Sequence, residues 1–147
     1  MRLLEREFQA RAPLERVWDH LAAIDRWPSW ARHIRRVEVA PSGPLSHATT
    51  GTIVLTNGIR STFRMTALEP GVHWLWSGPF LWLSVDYDHR LERVDDDLTT
   101  VRFTVDVSGF GTAVLGRLFA AIYARNLDRA IPRLIEELEA GSSGPRG

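Results

Sequence analysis

Tyr87 and His89 are the residues whose types and spacing best suit them to chemistry. An imidazole with an ordinary pKa near ~6.5 both gives and takes protons close to neutrality, and a phenol hydroxyl donates or accepts a hydrogen bond. The two stand in LSVDYDHRLE, residues 83 to 92, where Leu83, Val85, Tyr87, His89 and Leu91 share one parity. Ser84, Asp86, Asp88, Arg90 and Glu92 share the other. Such period-2 alternation marks a strand with one face buried and one in water. The phenol and imidazole therefore face inward. Either a core has satisfied two polar groups, or the face looks into a cavity in which His89 and Tyr87 bind a ligand or act as acid and base. The residues alone leave both readings open.

Competing chemistries are weaker. Asp86 and Asp88 would suit paired-carboxylate hydrolysis, but they lie on the outer parity with Arg90 and Glu92, as on a solvated face. The five histidines (20, 33, 47, 73 and 89) show no HxxxH or HxH spacing and there is no Cys, so no metal site is expected. All 18 basic residues are Arg, so Schiff-base and lysine-base chemistry are excluded. GFGTAVLG (109–116) opens a helix but lacks GxGxxG spacing and a following strand, so its glycines serve a strand-to-helix corner rather than a dinucleotide. No cofactor is implied. The net charge is +0 without a basic block, which argues against a nucleic-acid partner. No run reaches the ~18 apolar residues of a membrane span, and Met1 leads straight into charged sequence rather than a signal peptide, so a cytoplasmic protein is expected.

The elements that must position these residues follow from the periodicity. Residues 2–10 read as a strand. Pro13 suits the first turn of a helix carrying Leu14, Val17, Trp18 and Leu21, and RWPSWARH (26–33) reads as a second short helix. Strands follow at 34–40, 49–56, 60–69, 72–78, 80–94 and 98–108, separated by PSGP, Asn57-Gly58, EPG, SGP (77–79) and DDD. Short turns imply an antiparallel meander. Inward residues include Ile53, Leu55, Phe63, Met65, Ala67, Val101, Phe103, Val105 and Val107. Residues 112–140 form one long helix, and 141–147 a flexible tail. Its stripe Leu115, Leu118, Phe119 and Ile122 is out of phase with Leu127, Ile131, Leu134, Ile135 and Leu138, which predicts a bend between Asn126 and Pro132. The fold class is α+β, a single domain over 1–140 with one seven-stranded sheet. A single helix is only ~10–12 Å across, so the sheet must curl round it, and gaps between a curved sheet and a rod become cavities.

APLERVWDHLAAIDRWPSWARHIRRVEV (12–39), with Asp25, Trp27, Pro28 and Trp30, resembles the opening of the polyketide cyclase/dehydrase branch of the START-like (Bet v 1-like, SRPBCC) superfamily. LEPG (68–71), HWLW (73–76), DHRLE (88–92) and the final helix extend the likeness over nearly the whole chain. The resemblance implies a helix-grip fold enclosing an apolar cavity. It also implies binding of a hydrophobic, aromatic, polyketide or lipid-like small molecule, in a carrier or sensor. In some members it implies cyclisation, aromatisation or dehydration, for which His89 and Tyr87 are the catalytic candidates. Candidate ligand-binding residues are Trp27, Trp30, Phe63, Met65, Trp74, Trp76, Tyr87, His89, Phe103, Phe119, Ile122, Tyr123 and Asn126. Trp27 and Trp30 either pin their short helix to the sheet or touch ligand at the mouth. Trp74 and Trp76 share one parity, taken as inward. Trp82 has the outward parity, leaving a partner or homodimer contact open.

Overall fold

A computed structural model describes residues 1–142. Seven antiparallel strands form one sheet in the order β1-β7-β6-β5-β4-β3-β2. They are β1 (Arg2–Ala10), β2 (Ile34–Ala40), β3 (Thr50–Leu55), β4 (Arg60–Glu69), β5 (His73–Phe80), β6 (Leu83–Asp95) and β7 (Leu98–Ser108). Helix α1 (Leu14–Ala22) and a 3₁₀ turn (Ile24–Ser29) separate β1 from β2. A π turn (Thr112–Gly116) leads into α2 (Arg117–Ser142), which packs across the inner face. The expected helix-grip architecture is present. Of the expected tail, Gly141 and Ser142 continue α2, and 143–147 lie outside the described residues.

The alternating strands bury what their parity demands. Val85, Tyr87, His89 and Leu91 of β6 and Val101, Phe103, Val105 and Val107 of β7 are all buried. Two glycines permit close approaches beside β4. A Cβ on Gly51 of β3 would fall on the Phe63 ring and 2.5 Å from the Glu38 carbonyl oxygen, and a Cβ on Gly78 of β5 would meet the Thr62 carbonyl oxygen.

Several expectations need correction. SGP (77–79) is not a turn: Gly78 pairs with Val85 and Pro79 with Ser84 inside the β5–β6 ladder. The reversal is made by Leu81-Trp82, with Leu81 held at φ 56, a left-handed conformation that a leucine does not advertise. A bulge between Met65 and Ala67 leaves Thr66 outside the β5 register, so beyond it Leu68 opposes inward Trp74 and Ala67 opposes outward Leu75. Ala67 is therefore outward. The short helix at 26–33 is the 3₁₀ turn instead.

Helix α2 also departs from the expected shift of phase. Its buried positions run Ala120, Leu127, Ala130, Leu134 and Leu138, one stripe that passes Pro132 without rotating. Leu118 and Ile122 lie outside it and are exposed. The expected shift depends on those two being inward, and without them nothing in the pattern calls for a bend.

Candidate functional site

The inner faces of β5 and β6 bring the predicted residues into one aromatic cluster. Trp74 and Trp76 point inward, opposite His89 and Tyr87 in the ladder. The His89 ring stacks on Trp74 at 4.5 Å and 14° and meets Trp76 edge-on at 4.8 Å. Phe103 of β7 lies 5.6 Å from it and Trp27 of the 3₁₀ turn 5.7 Å. Phe63 stacks on Trp76 at 4.1 Å, over the space that Gly51 leaves open. Met65 is buried in the same cluster. Aromatic pairs of this kind add to the area they bury.

His89 Nδ1 donates to the Trp74 carbonyl at 3.3 Å, because a carbonyl can only accept. In the neutral ring this leaves Nε2 as an acceptor, with no hydrogen-bond partner among the described residues. Burial pushes the His89 pKa down to about 4, so the ring is neutral near pH 7. The indole N–H of Trp74 is buried without a partner.

On the helix side, Tyr123 packs against Tyr87 at 5.6 Å and Phe119 at 5.8 Å, and Phe119 against Phe80 at 4.6 Å. Burial pushes the Tyr123 phenol up to about 12. Burial first, and then the Tyr123 phenol, raise Tyr87 well above the ordinary phenol range, partly opposed by a hydrogen bond with Ser61. The titratable groups of the cluster thus move away from neutrality in opposite directions.

A cavity of about 30 Å³ lies between the 3₁₀ turn, the start of β2 and the middle of α2. Such a void has room for roughly two waters, far below the ~300–1,000 Å³ usual for small-molecule pockets. Of the predicted residues, Trp27, Trp30, His89, Phe103 and Tyr123 line it. Phe63, Met65, Trp74, Trp76 and Tyr87 stand behind that wall as buried packing. Phe119 belongs to the aromatic chain beside it, and half-buried Asn126 does not line it. Ile122 is removed from the set, since it faces outward.

Sequence reasoning missed Ala31, His33 and Ile34, which continue the turn from Trp30, and Leu127 and Ala130, which follow Tyr123 by four and seven residues. A helix phase anchored on Tyr123 instead of Ile122 would have found the last two. His33 is half-buried and burial lowers its pKa. No lining side chain is an Asp, Glu, Lys or Arg. Trp27 both pins and lines, its Nε1 donating to the Leu21 carbonyl at 2.9 Å, whereas Trp30 lines the cavity and is held by packing on Trp27 at 5.3 Å, its indole N–H making no hydrogen bond among the described residues. The outer-face aspartates are engaged, Asp86 accepting from the Ser77 hydroxyl at 2.5 Å and Asp88 meeting His73 at 2.8 Å and Arg90 at 3.7 Å. Among the described residues no group of three His, Cys, Asp or Glu could hold a metal ion.

A family described as polyketide cyclase / dehydrase and lipid transport matches residues 1–139. No curated protein matches the sequence. Among solved structures, the Zhui aromatase/cyclase of Streptomyces sp. R1128 superposes with TM-score 0.74 at 18% identity, covering 97% of this chain and 98% of that one. One half of the di-domain aromatase/cyclase BexL of the BE-7585A biosynthetic pathway superposes with TM-score 0.76 at 17% identity, covering 98% of this chain and 48% of that one. A Thermobifida fusca protein solved by NMR gives 0.74 at 13% identity, covering 98% and 97%. At these identities the likeness is one of fold.

Proposed function

Since the chain belongs to the polyketide cyclase/dehydrase and lipid transport family, we propose that it binds a hydrophobic, aromatic or polyketide-like small molecule between Trp27, Trp30, Tyr123 and His89. The observation that carries this reading is the charge-free lining: aromatic and aliphatic walls, with hydrogen-bonding capacity only from neutral imidazoles, a phenol and indoles. Ligand pockets are built in that way, mostly apolar with a few convergent polar atoms. His89 Nε2 would accept from a ligand hydroxyl, and the Tyr123 hydroxyl would donate to a ligand carbonyl. A planar ring does not fit into about 30 Å³, so binding requires the wall to open. Trp30, held by packing alone, is the side chain to swing, while Trp27 stays hydrogen-bonded to Leu21.

A second reading is a cyclase or aromatase acting in the same cavity, favoured by the fold likeness to aromatase/cyclases. Its acid and base would be Tyr87 or Tyr123 and His89. General acid–base groups work best with pKa values near the working pH, and here burial moves His89 down to about 4 and Tyr123 up to about 12. Carriage is therefore the stronger reading.

Calorimetric titration with a neutral planar phenol such as 2-naphthol tests it. Saturable binding is expected, with His89→Gln and Tyr123→Phe each weakening it up to ~10-fold through one lost hydrogen bond. Trp30→Leu should tighten it by removing the gate. If neither the wild type nor Trp30→Leu binds, the cavity reading is wrong. If a substrate is found whose turnover falls by ~10²–10⁴ in His89→Gln while affinity holds, the enzyme reading replaces it.

A further inference from the structure

Away from the cavity, one face of the molecule presents large apolar side chains with nothing packed over them. Phe110 is 90% exposed, Val114 80%, and Leu118 and Ile122 57% each. Val114, Leu118 and Ile122 recur every four residues, so from the π turn into α2 they run as one outer stripe, and Phe110 stands just ahead of it across the left-handed Gly111. The β5–β6 hairpin tip closes the end of that stripe. Leu81 and Trp82 there are each 65% exposed, and Trp82 Nε1 donates to the Phe110 carbonyl at 2.7 Å. A contiguous exposed apolar patch of this kind marks an interaction surface.

The charge along the stripe itself has one sign. Residues 110–127 contain no Asp or Glu, while exposed Arg117 and Arg125 flank the stripe. The arginines that form ion pairs among the described residues are Arg2, Arg6, Arg36, Arg60, Arg90, Arg93 and Arg102, not these two. We propose that this stripe docks the protein on the surface of a bilayer containing anionic lipids. Trp82, Phe110, Leu118 and Ile122 enter the interfacial layer, and Arg117 and Arg125 meet the headgroup phosphates.

An apolar face bordered by arginine and tryptophan is the signature of an element lying in the membrane interface. No helix among the described residues is long and apolar enough to cross a membrane, so the contact is peripheral. A second copy of the chain fits less well. An isologous contact sets each surface against itself, which brings the arginine flanks together with no acid in the stripe to offset them. A bilayer supplies both the apolar phase and the opposite charge. One residue round the helix from Leu118 and Ile122, Phe119 and Tyr123 turn inward, so the docking face is backed by the cavity wall. The inference holds whatever the cavity binds.

Sedimentation of the full chain with vesicles of phosphatidylcholine, alone or mixed with phosphatidylserine, tests it. Stronger partitioning onto the mixed vesicles is expected, weakening as salt rises. Arg117→Gln and Arg125→Gln should each lower it roughly fivefold. Leu118→Asp and Ile122→Asp should each lower it roughly tenfold or more, with circular dichroism unchanged because both side chains are already in water. Equal partitioning onto the two vesicle types overturns the proposal, and so does wild-type partitioning of both aspartate variants. A dimer seen by light scattering without vesicles, dissociated by Leu118→Asp in a protein that ignores vesicles, reassigns the stripe to self-association and also overturns it.

Discussion

The two ends of α2 are built to opposite specifications. Toward its C-terminus Leu134 and Leu138 are fully buried, and Glu137 accepts from Ser29 at 3.0 Å and contacts His20 Nε2 at 2.9 Å. Just upstream Asp128 pairs with Arg6 of β1 at 2.6 Å. That end is a plug, closed by leucines and fastened at its rim. Toward its N-terminus the buried Ala120 is small, Phe119 and Tyr123 turn inward but are only half-buried, and Leu118 and Ile122 face outward. The same helix is a core element at one end and a surface element at the other, with the cavity where the two regimes meet at Tyr123, Leu127 and Ala130. Hydrophobicity summed along the helix hides this division. Its phase reveals it.

The contrast is sharpest in stability. Leu134→Ala should cost ~2–5 kcal/mol, transfer plus cavity, in urea unfolding. Leu118→Ala should stay within ~0.5 kcal/mol, as exposed substitutions do. Equal losses at the two sites would erase the distinction between plug and surface.

The next effect lies in the middle, at His89. Its folded pKa of about 4 is below the ordinary value near 6.5, so the unfolded chain takes up the proton first. Stability is therefore complete above about pH 6.5 and falls as the pH drops toward 4, by up to about 3 kcal/mol from this group. His33, also lowered by burial, contributes with the same sign. His89→Gln should flatten the slope between pH 6.5 and 4 relative to the wild type. Parallel curves for the two proteins would mean that the ring already takes a proton in the folded state.

The rim should give the smallest measurable loss. Glu137→Ala removes the contacts to His20 and Ser29 from a partly exposed site and should cost about 1 kcal/mol in thermal unfolding. A loss as large as that of Leu134→Ala would move the weight of the closed end from its leucines to its polar fastening.

Where side chains alternate regularly, the sequence was read correctly and for a physical reason. Parity in β6 and β7 fixes which residues are inward, and Tyr87, His89 and Phe103 are buried as expected. The reading failed where alternation is interrupted without a sequence mark. Nothing in Met65-Thr66-Ala67 announces a bulge, and Gly78-Pro79 has the composition of a turn although the reversal falls at Leu81, which takes φ 56. The site was legible as a set of aromatic residues on one face. Its size was not, because volume depends on how far rings interdigitate, and here the lining leaves only about 30 Å³. Ile122 shows the remaining weakness: four apolar residues at helical spacing look alike whether they face a core or a membrane.

The open backbone at Gly51 extends this to mutational tolerance. The Phe63 ring occupies the space where a side chain on residue 51 would begin, and it is held there by its stack on Trp76. On the other side stands the Glu38 carbonyl oxygen, which is main chain and cannot rotate away. A library randomised at position 51 should therefore return glycine almost alone, whereas one randomised at Ile122 should return nearly any residue that leaves the fold intact. A position that constrains the aromatic floor contributes no side chain to it, and a search for ligand-contacting residues would pass it by.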